Sequence, residues 1–324
     1  MTGEASQRAA VGLQAADRAG RNRLIVGTRA SALARWQTDW VIGRLRTAWP
    51  GLEWEVRCLT TAGDRVNDRP LSEIGGEGVF TGELERALRA GEIDFAVHSL
   101  KDMPVGASAG LVLAAIAERA DARDVLVARD GWTLRTLPRG ARVGTCSLRR
   151  TAQVLAARRD LTIAPLRGNV GTRIRKALEG EYDAVVLAAA GVLRLGHGEV
   201  ISDYLPFAAM LPAPGQAALA VQCRAEDGET QARLAPLDDW ATRAAVTAER
   251  AFLEALGGGG SAPIAAYAEV ESRDDRPDIH LHGLVARPDG GRVVRVAGSG
   301  ADPIALGQSL AERALSLGAG ELLR

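Results

Sequence analysis

Residues 141–173 read ARVGTCSLRRTAQVLAARRDLTIAPLRGNVGTR, and this stretch decides the fold class. Apolar runs at 141–143 and 161–164 predict two short strands, while 147–159 and 170–178 have the residue spacing of helices. Strand, turn and helix therefore follow one another twice. This alternation is typical of a mostly parallel sheet that is covered by helices.

The same alternation extends from this stretch towards both ends of the chain. Further strands are predicted at 24–27, 54–59, 93–97, 111–116, 125–127, 183–187 and 217–223. Helices are predicted at 31–49 and 81–89, with a helical turn at 191–195. We expect two similar α/β domains, joined where the chain crosses near 117–123 and returns near 211–217.

A smaller α+β domain is expected after residue 238. A long helix over 240–256 runs into four glycines at 257–260, which end it. Strands at 264–270, 280–286 and 292–297 predict an antiparallel meander, and 303–317 predicts a closing helix. The expected domains are 23–117 with 217–236, then 123–211, and finally 239–324, preceded by a disordered tail at 1–22.

Composition excludes several classes of partner. The 40 basic and 40 acidic residues cancel, so no nucleic acid and no membrane is expected as a partner. The three cysteines lie far apart, which predicts neither a disulfide framework nor a metal site. No signal peptide is evident, and the apolar run at 185–193 is too short to span a bilayer. We expect a cytoplasmic protein.

Four arginines lie in the two strand-to-helix turns of the opening stretch. Arg149 and Arg150 belong to the turn at 144–150, and Arg167 and Arg173 belong to the turn at 166–173. Backbone N–H groups at a helix start favour an anion, and guanidinium groups suit carboxylates or phosphates. An anion-binding cleft is the favoured interpretation; the alternative is a solvated basic face.

Two turns of the first domain are expected to face these arginines. One is the turn at 28–31, and the other follows the strand at 93–97 and carries Lys101 and Asp102. Asp102 is either a general acid or a carboxylate that stabilises a cation, or else a capping or ion-paired surface residue. We interpret His98 as a packed residue, because no metal-ligand partner is evident.

Several motifs, in order and spacing, resemble those of the hydroxymethylbilane synthase family, also called porphobilinogen deaminases. These motifs occupy 75–80, 98–104, 144–150, 166–173, 211–216, 247–250 and 263–264. The family joins four porphobilinogen molecules into linear hydroxymethylbilane and releases ammonia at each step of tetrapyrrole biosynthesis. The resemblance implies the same transferase activity, an acidic pyrrole as substrate, a monomer, and two domains like those of periplasmic binding proteins with a cleft between them.

The resemblance also implies roles for individual residues. Asp102 matches the catalytic carboxylate that stabilises the positive charge formed as ammonia leaves. The residues that match positions binding substrate or the dipyrromethane cofactor are Arg29, Ser31, Ser99, Lys101, Ser147, Arg149, Arg150, Arg167, Arg173, Arg194 and Gln216.

The sequence departs from the family at the cofactor anchor. Gly260 stands where the family has the cysteine whose thioether holds dipyrromethane, and the adjacent Ser261 is only a weak substitute. Glu77 and Gly82 stand where the family commonly has lysines.

Three hypotheses follow: a deaminase that retains its cofactor without the thioether, a non-catalytic or altered homologue that binds a pyrrole or another polycarboxylate, and a solute-binding protein of the periplasmic type. The first is favoured.

Overall fold

The computed structural model describes residues 22–61, 81–259, 262–273 and 276–323. The predicted tail, apart from Asn22, lies outside the described residues. Within the part that is described, no helix is both long enough and apolar enough to cross a bilayer. Three sheets organise the chain.

The first sheet has five strands in the order β2-β1-β3-β10-β4. Its strands are β1 (Arg23–Arg29), β2 (Glu53–Leu59), β3 (Phe95–Ser99), β4 (Leu111–Ile116) and β10 (Leu219–Arg224). Its helices are α1 (Ala32–Ala48), α2 (Gly82–Arg89) and α6 (Gly228–Leu234). A buried cluster that includes Val26, Leu45 and Phe95 fixes α1 on the sheet.

The second sheet also has five strands, in the order β7-β6-β8-β5-β9. Its strands are β5 (Asp124–Ala128), β6 (Arg142–Gly144), β7 (Thr162–Ala164), β8 (Ala184–Ala188) and β9 (Asp203–Leu205). Its helices are α3 (Leu148–Ala157), α4 (Val170–Leu178) and α5 (Ala189–Arg194). The chain enters this sheet between β4 and β5 and leaves it between β9 and β10.

Each sheet contains one reversed strand, and the other four strands run in the same direction, so the expectation of mostly parallel sheets is confirmed. In the first sheet β1 runs parallel to β2 and β3, but β10 is antiparallel to both of its neighbours. In the second sheet β5 is likewise antiparallel to β8 and β9. The reversed strands, β5 and β10, are the first strands that the chain forms after it passes from one sheet to the other. No α-helix precedes them to return the chain to the end of the sheet at which a parallel strand begins.

The third sheet is the predicted antiparallel meander, in the order β11-β12-β13. Its strands are β11 (Ile264–Arg273), β12 (Arg276–Ala286) and β13 (Val293–Gly300), and its helices are α7 (Trp240–Ala255) and α8 (Pro303–Ser316). Phe252 and Leu310 bury one face of the sheet under the two helices. The mixed α/β class, with two sheet domains and a smaller α+β C-terminal domain, is confirmed; the predicted domain limits stay predictions.

The third domain packs against the second through a tight turn. Gly290 has φ = +70°, and a Cβ built on it would lie 2.5 Å from the backbone nitrogen of Ala156 in α3. Only glycine fits such a left-handed position at this separation. The turn between β12 and β13 therefore contacts α3, the helix that carries Arg149 and Arg150.

Candidate functional site

Helix caps hold three of the turns that the sequence singled out. The Ser31 hydroxyl accepts a hydrogen bond from the Ala34 N–H, and the Ser147 hydroxyl accepts one from the Arg150 N–H. Asn169 caps α4 in the same way. These side chains satisfy otherwise free N–H groups, which explains why the helices begin there. Each cap lies after the carboxyl end of a parallel strand, the edge at which open α/β sheets bind ligands.

Asp102 lies directly beyond β3, in a single helical turn formed by Leu100–Asp102. Its side chain is exposed, and together with Arg29 and Ser99 it borders a small cavity. The Gln37 side chain, which sequence analysis did not single out, donates a hydrogen bond to the Ser99 hydroxyl at 2.9 Å. Asp102 is thus available to a ligand, with a hydrogen-bonded serine beside it.

The centre of the arginine cluster is Asp124, whose carboxylate is fully buried at the start of β5. It accepts hydrogen bonds from Arg149 Nη1 and Arg150 Nη2, both at 2.7 Å, and from Gln216 Nε2 at 3.0 Å. The two guanidinium groups hold the pKa of Asp124 well below its usual range, against the opposing effect of burial. Asp124 therefore remains ionised and fixes both arginines.

Sequence reasoning missed Asp124 as a site residue. The available signal was a single carboxylate at the first position of the otherwise apolar strand 124–128. A charge at the end of a buried strand requires a partner, but the sequence does not show which of its basic residues supplies that partner.

Arg149 and Arg150 also hold the backbone of the second domain. Arg149 Nη1 donates to the Leu211 carbonyl at 2.8 Å, and Arg150 Nη1 donates to the Val186 carbonyl at 3.0 Å. Both side chains are buried, but Arg150 Nε has no hydrogen-bond partner among the described residues. These contacts make both arginines part of the framework of the site, and direct ligand binding by them stays a prediction.

Lys101 connects the first domain to the Asp124 cluster. Its Nζ donates to Gln216 Oε1 at 3.2 Å, and the same glutamine amide donates to Asp124. Burial lowers the pKa of Lys101 to about 8, helped by the positive charge of Arg150 and opposed by Asp102 and Asp124. The predicted residues Lys101, Gln216 and Arg150 thus form one hydrogen-bonded group.

Arg167 and Arg173 add further positive charge near Arg150, and within the described residues neither forms a salt bridge. Arg173 Nε donates to the Gly168 carbonyl at 2.7 Å, and burial together with the nearby Arg150 and Arg167 lowers its pKa. Arg167 Nη1 is buried and has no hydrogen-bond partner in the described part of the chain. Asp102 opposes the shift at Arg173. The neighbouring Lys101 is hydrogen-bonded through Gln216 to Asp124, so the two predicted halves of the site are connected.

Arg194 lies at the edge of this group, where the chain returns to the first sheet. Its Nη2 donates to the Ala217 carbonyl at 2.7 Å, and its guanidinium carbon lies 5.6 Å from the ring centroid of Trp36. Burial lowers the pKa of Arg194 to about 10. Arg194 thus links α5 of the second domain with α1 of the first.

The remaining predicted positions have different outcomes. Gly260, Ser261 and Glu77 lie outside the described residues. Gly82 is the first residue of α2, and a Cβ added there would meet no atom within 4 Å. Among the described residues, no group of three or more His, Cys, Asp or Glu side chains is arranged to hold a metal ion.

Two family models match the chain. One, described as "Porphobilinogen deaminase, dipyromethane cofactor binding domain", matches residues 24–232, and the other, "Porphobilinogen deaminase, C-terminal domain", matches residues 243–316.

Curated relatives agree over almost the whole length. The porphobilinogen deaminase of Brevibacillus brevis is 50% identical over 298 residues, which are 92% of this chain and 96% of the relative. That of Roseiflexus castenholzii is 51% identical over 305 residues, covering 94% of this chain and 99% of the relative.

Among solved structures, the periplasmic VFT2 domain of Bordetella pertussis BvgS has a TM-score of 0.41 at 17% identity, covering 68% of this chain and 88% of that one. The methionine-binding protein MetQ has a TM-score of 0.41 at 14% identity, covering 66% of this chain and 89% of that one.

Proposed function

Because the chain belongs to the porphobilinogen deaminase family, we propose that it joins four porphobilinogen molecules into linear hydroxymethylbilane and releases ammonia at each step. The single observation that supports this assignment beyond the family is the exposed Asp102 next to Lys101, whose Nζ reaches the buried arginine–Asp124 cluster through Gln216. A transferase of this kind needs a carboxylate beside the reacting carbon and cations around the substrate acids.

The substrate carries an acetate and a propionate on each pyrrole ring, so the cleft must bind more acids as the chain grows. Arg167 and Arg173 supply cationic donors that described carboxylates do not fully neutralise. Arg29 and the N-terminal turn of α1 supply a second anion-binding position in the first domain. We assign these residues to the substrate carboxylates.

Asp102 stabilises the positive charge that develops on the substrate ring as ammonia leaves. A fixed carboxylate close to that ring lowers the barrier, because its charge is already in place when the cation forms. Lys101 lies next to it, and the Lys101 Nζ donates its hydrogen bond to Gln216.

The described residues also fit dipyrromethane, the cofactor of the family. Its carboxylates match the buried, unpaired Arg167 Nη1 and Arg150 Nε, which would otherwise lack partners. Arg150, Arg167, Arg173 and Ser147 would hold it. When bound, the cofactor supplies the pyrrole end to which the first substrate ring is joined.

We further propose that this protein retains dipyrromethane without the usual thioether. Glycine at position 260 has no side chain, and an unactivated serine hydroxyl at 261 is a weak nucleophile. Ion pairs from the second domain then provide the attachment. The domain limits given above, the monomeric state and the cytoplasmic location remain part of the proposal.

Glycine at 260 also favours a second candidate, an altered homologue that binds an acidic pyrrole without condensing it. One incubation with porphobilinogen separates the two. Loss of Ehrlich-reactive porphobilinogen, with an intact denatured mass equal to the bare polypeptide, supports the non-covalent deaminase. Binding without consumption supports the altered homologue. A denatured mass raised by one dipyrromethane unit would refute non-covalent attachment, and Gly260→Cys is expected to acquire that added mass.

A further inference from the structure

A small cavity lies beside Asp102, between β3 and the first turns of α1 and α2. Its volume of about 20 Å³ is enough for one water-sized molecule. The residues that line it are Arg29, Ala34, Gln37, Thr81, Val97, His98, Ser99 and Asp102.

Two of these lining residues each carry a buried polar atom that has no hydrogen-bond partner among the described residues. Thr81 is 1% exposed and His98 is 5% exposed, and neither Thr81 Oγ1 nor His98 Nε2 makes a hydrogen bond in the described structure. Thr81 precedes α2, but its hydroxyl does not cap that helix. Buried polar groups in native proteins nearly always have a partner, so a bound molecule is expected here.

The uncharged side chains of Thr81 and His98 favour a neutral molecule in this cavity. Burial lowers the pKa of His98 to about 4, and the positive charge of the nearby Arg29 contributes to this shift, whereas the negative charge of Glu85 opposes it. His98 is therefore an uncharged imidazole near neutral pH, and the threonine hydroxyl is uncharged as well. One neutral donor and acceptor of about the size of water fits both groups.

We propose that this cavity binds one such molecule, water in the resting protein and the departing ammonia during turnover. The ammonia role rests on the proposed function. When the bond between the aminomethyl carbon and its ammonium nitrogen breaks, both electrons leave with nitrogen as neutral ammonia. The pyrrole nitrogen lone pair forms the new double bond, and the positive charge remains on the ring beside Asp102. The Thr81 hydroxyl donates to ammonia, and His98 Nε2 accepts an N–H.

Ammonium inhibition of porphobilinogen consumption tests this role, with sodium chloride at equal ionic strength as the salt control. In Thr81→Val the inhibitory concentration should rise about fivefold, the effect of one lost hydrogen bond. Thr81→Ser keeps the hydroxyl and should match wild type. Thr38→Val is the matched control, because Thr38 Oγ1 is also buried and unpaired but does not line the cavity.

Electron density in a high-resolution crystal structure tests the cavity independently of turnover. One peak within hydrogen-bond distance of both Thr81 Oγ1 and His98 Nε2 is expected in wild type and absent in Thr81→Val. Unchanged ammonium inhibition in folded Thr81→Val would overturn the ammonia role, and an empty cavity in wild type would overturn the binding site. If wild type consumes no porphobilinogen, the proposed function and the ammonia role both fail, whereas density at the two atoms would still establish the site.

Discussion

Asp102 and Asp124 have different proposed roles because their surroundings differ. Asp102 is exposed at the end of a short helical turn, whereas Asp124 is fully buried between two guanidinium groups. Sequence and family resemblance together identified the first, because it follows a strand within a long motif. The second was missed because its partners lie 25 and 26 positions away, and pairing at such a distance is a property of the folded chain.

Asp102→Asn should abolish turnover while leaving the fold intact. The amide keeps the shape of the side chain but cannot stabilise the substrate cation, so kcat should fall by at least about 100-fold. Porphobilinogen consumption and thermal unfolding of the same preparation measure both effects. Asp130→Asn, at another exposed aspartate, is the control. Near-normal turnover of Asp102→Asn would show that Asp102 is an ordinary polar surface residue.

Asp124→Asn should instead destabilise the protein, by about 3–5 kcal/mol, because it leaves two buried guanidinium groups without their anion. Urea unfolding of variant and wild type gives this difference in the free energy of unfolding. A loss of less than about 1 kcal/mol would show that water or another carboxylate replaces Asp124.

The stability supplied by Asp124 should depend on pH in a defined direction. Its folded pKa is lowered, so the contribution is fully present above the unfolded value of about 3.9 and is lost as pH falls towards the folded pKa. The difference between wild type and Asp124→Asn, measured by urea unfolding, should therefore be constant from neutral pH to about pH 5 and shrink below pH 4. A difference that grows on acidification would contradict the assignment.

At the level of elements, helix α7 connects the third domain to the crossings between the sheets. Its Glu249 is fully buried, pairs with Arg119 at 2.6 Å, and accepts hydrogen bonds from the N–H groups of Gly215 and Ala268, both at 2.7 Å. Arg119 belongs to one of the two segments that connect the sheets, and Gly215 belongs to the other. The Glu249 carboxylate therefore holds both segments against α7 and β11. The family motif at 247–250 includes Glu249, but no local sequence pattern could reveal its contacts with these three distant partners.

Glu249→Gln should therefore destabilise the whole molecule by about 3 kcal/mol, because it leaves Arg119 without its buried counter-charge. Glu254→Gln is the matched control, since Glu254 is an exposed carboxylate on the same helix. Thermal and urea unfolding should show the loss for position 249 only. Equal stability of the two variants would mean that the Arg119 pair contributes little.

Periodicity predicted the described strands and helices to within about four residues, except β9 and α6, because alternation of apolar and polar positions is a local property of the sequence. The one reversed strand in each sheet was not predicted. The position of β10 between β3 and β4, and the direction in which it runs, depend on where the chain meets the first sheet when it returns from the second. That is decided by packing between segments more than a hundred positions apart, such as Gln222 beside Glu85.

At the scale of the whole molecule, the arginine turns and the family motifs predict which residues line a cleft between the two sheet domains, and that assignment stays a prediction. Lys101, Gln216 and Asp124 form the hydrogen bonds that connect the first domain with the arginine cluster of the second. The pairing of Arg149 and Arg150 with Asp124 could not be predicted, because their adjacency in sequence does not indicate that they share one buried partner.

The central claim is that this cleft condenses porphobilinogen even though the chain has glycine at 260. The most direct measurement follows porphobilinogen, ammonia and tetrapyrrole together in one reaction of the purified protein. We predict four molecules of ammonia released and four of porphobilinogen consumed for each linear hydroxymethylbilane formed. A folded protein that binds porphobilinogen but releases no ammonia and forms no tetrapyrrole would contradict the account.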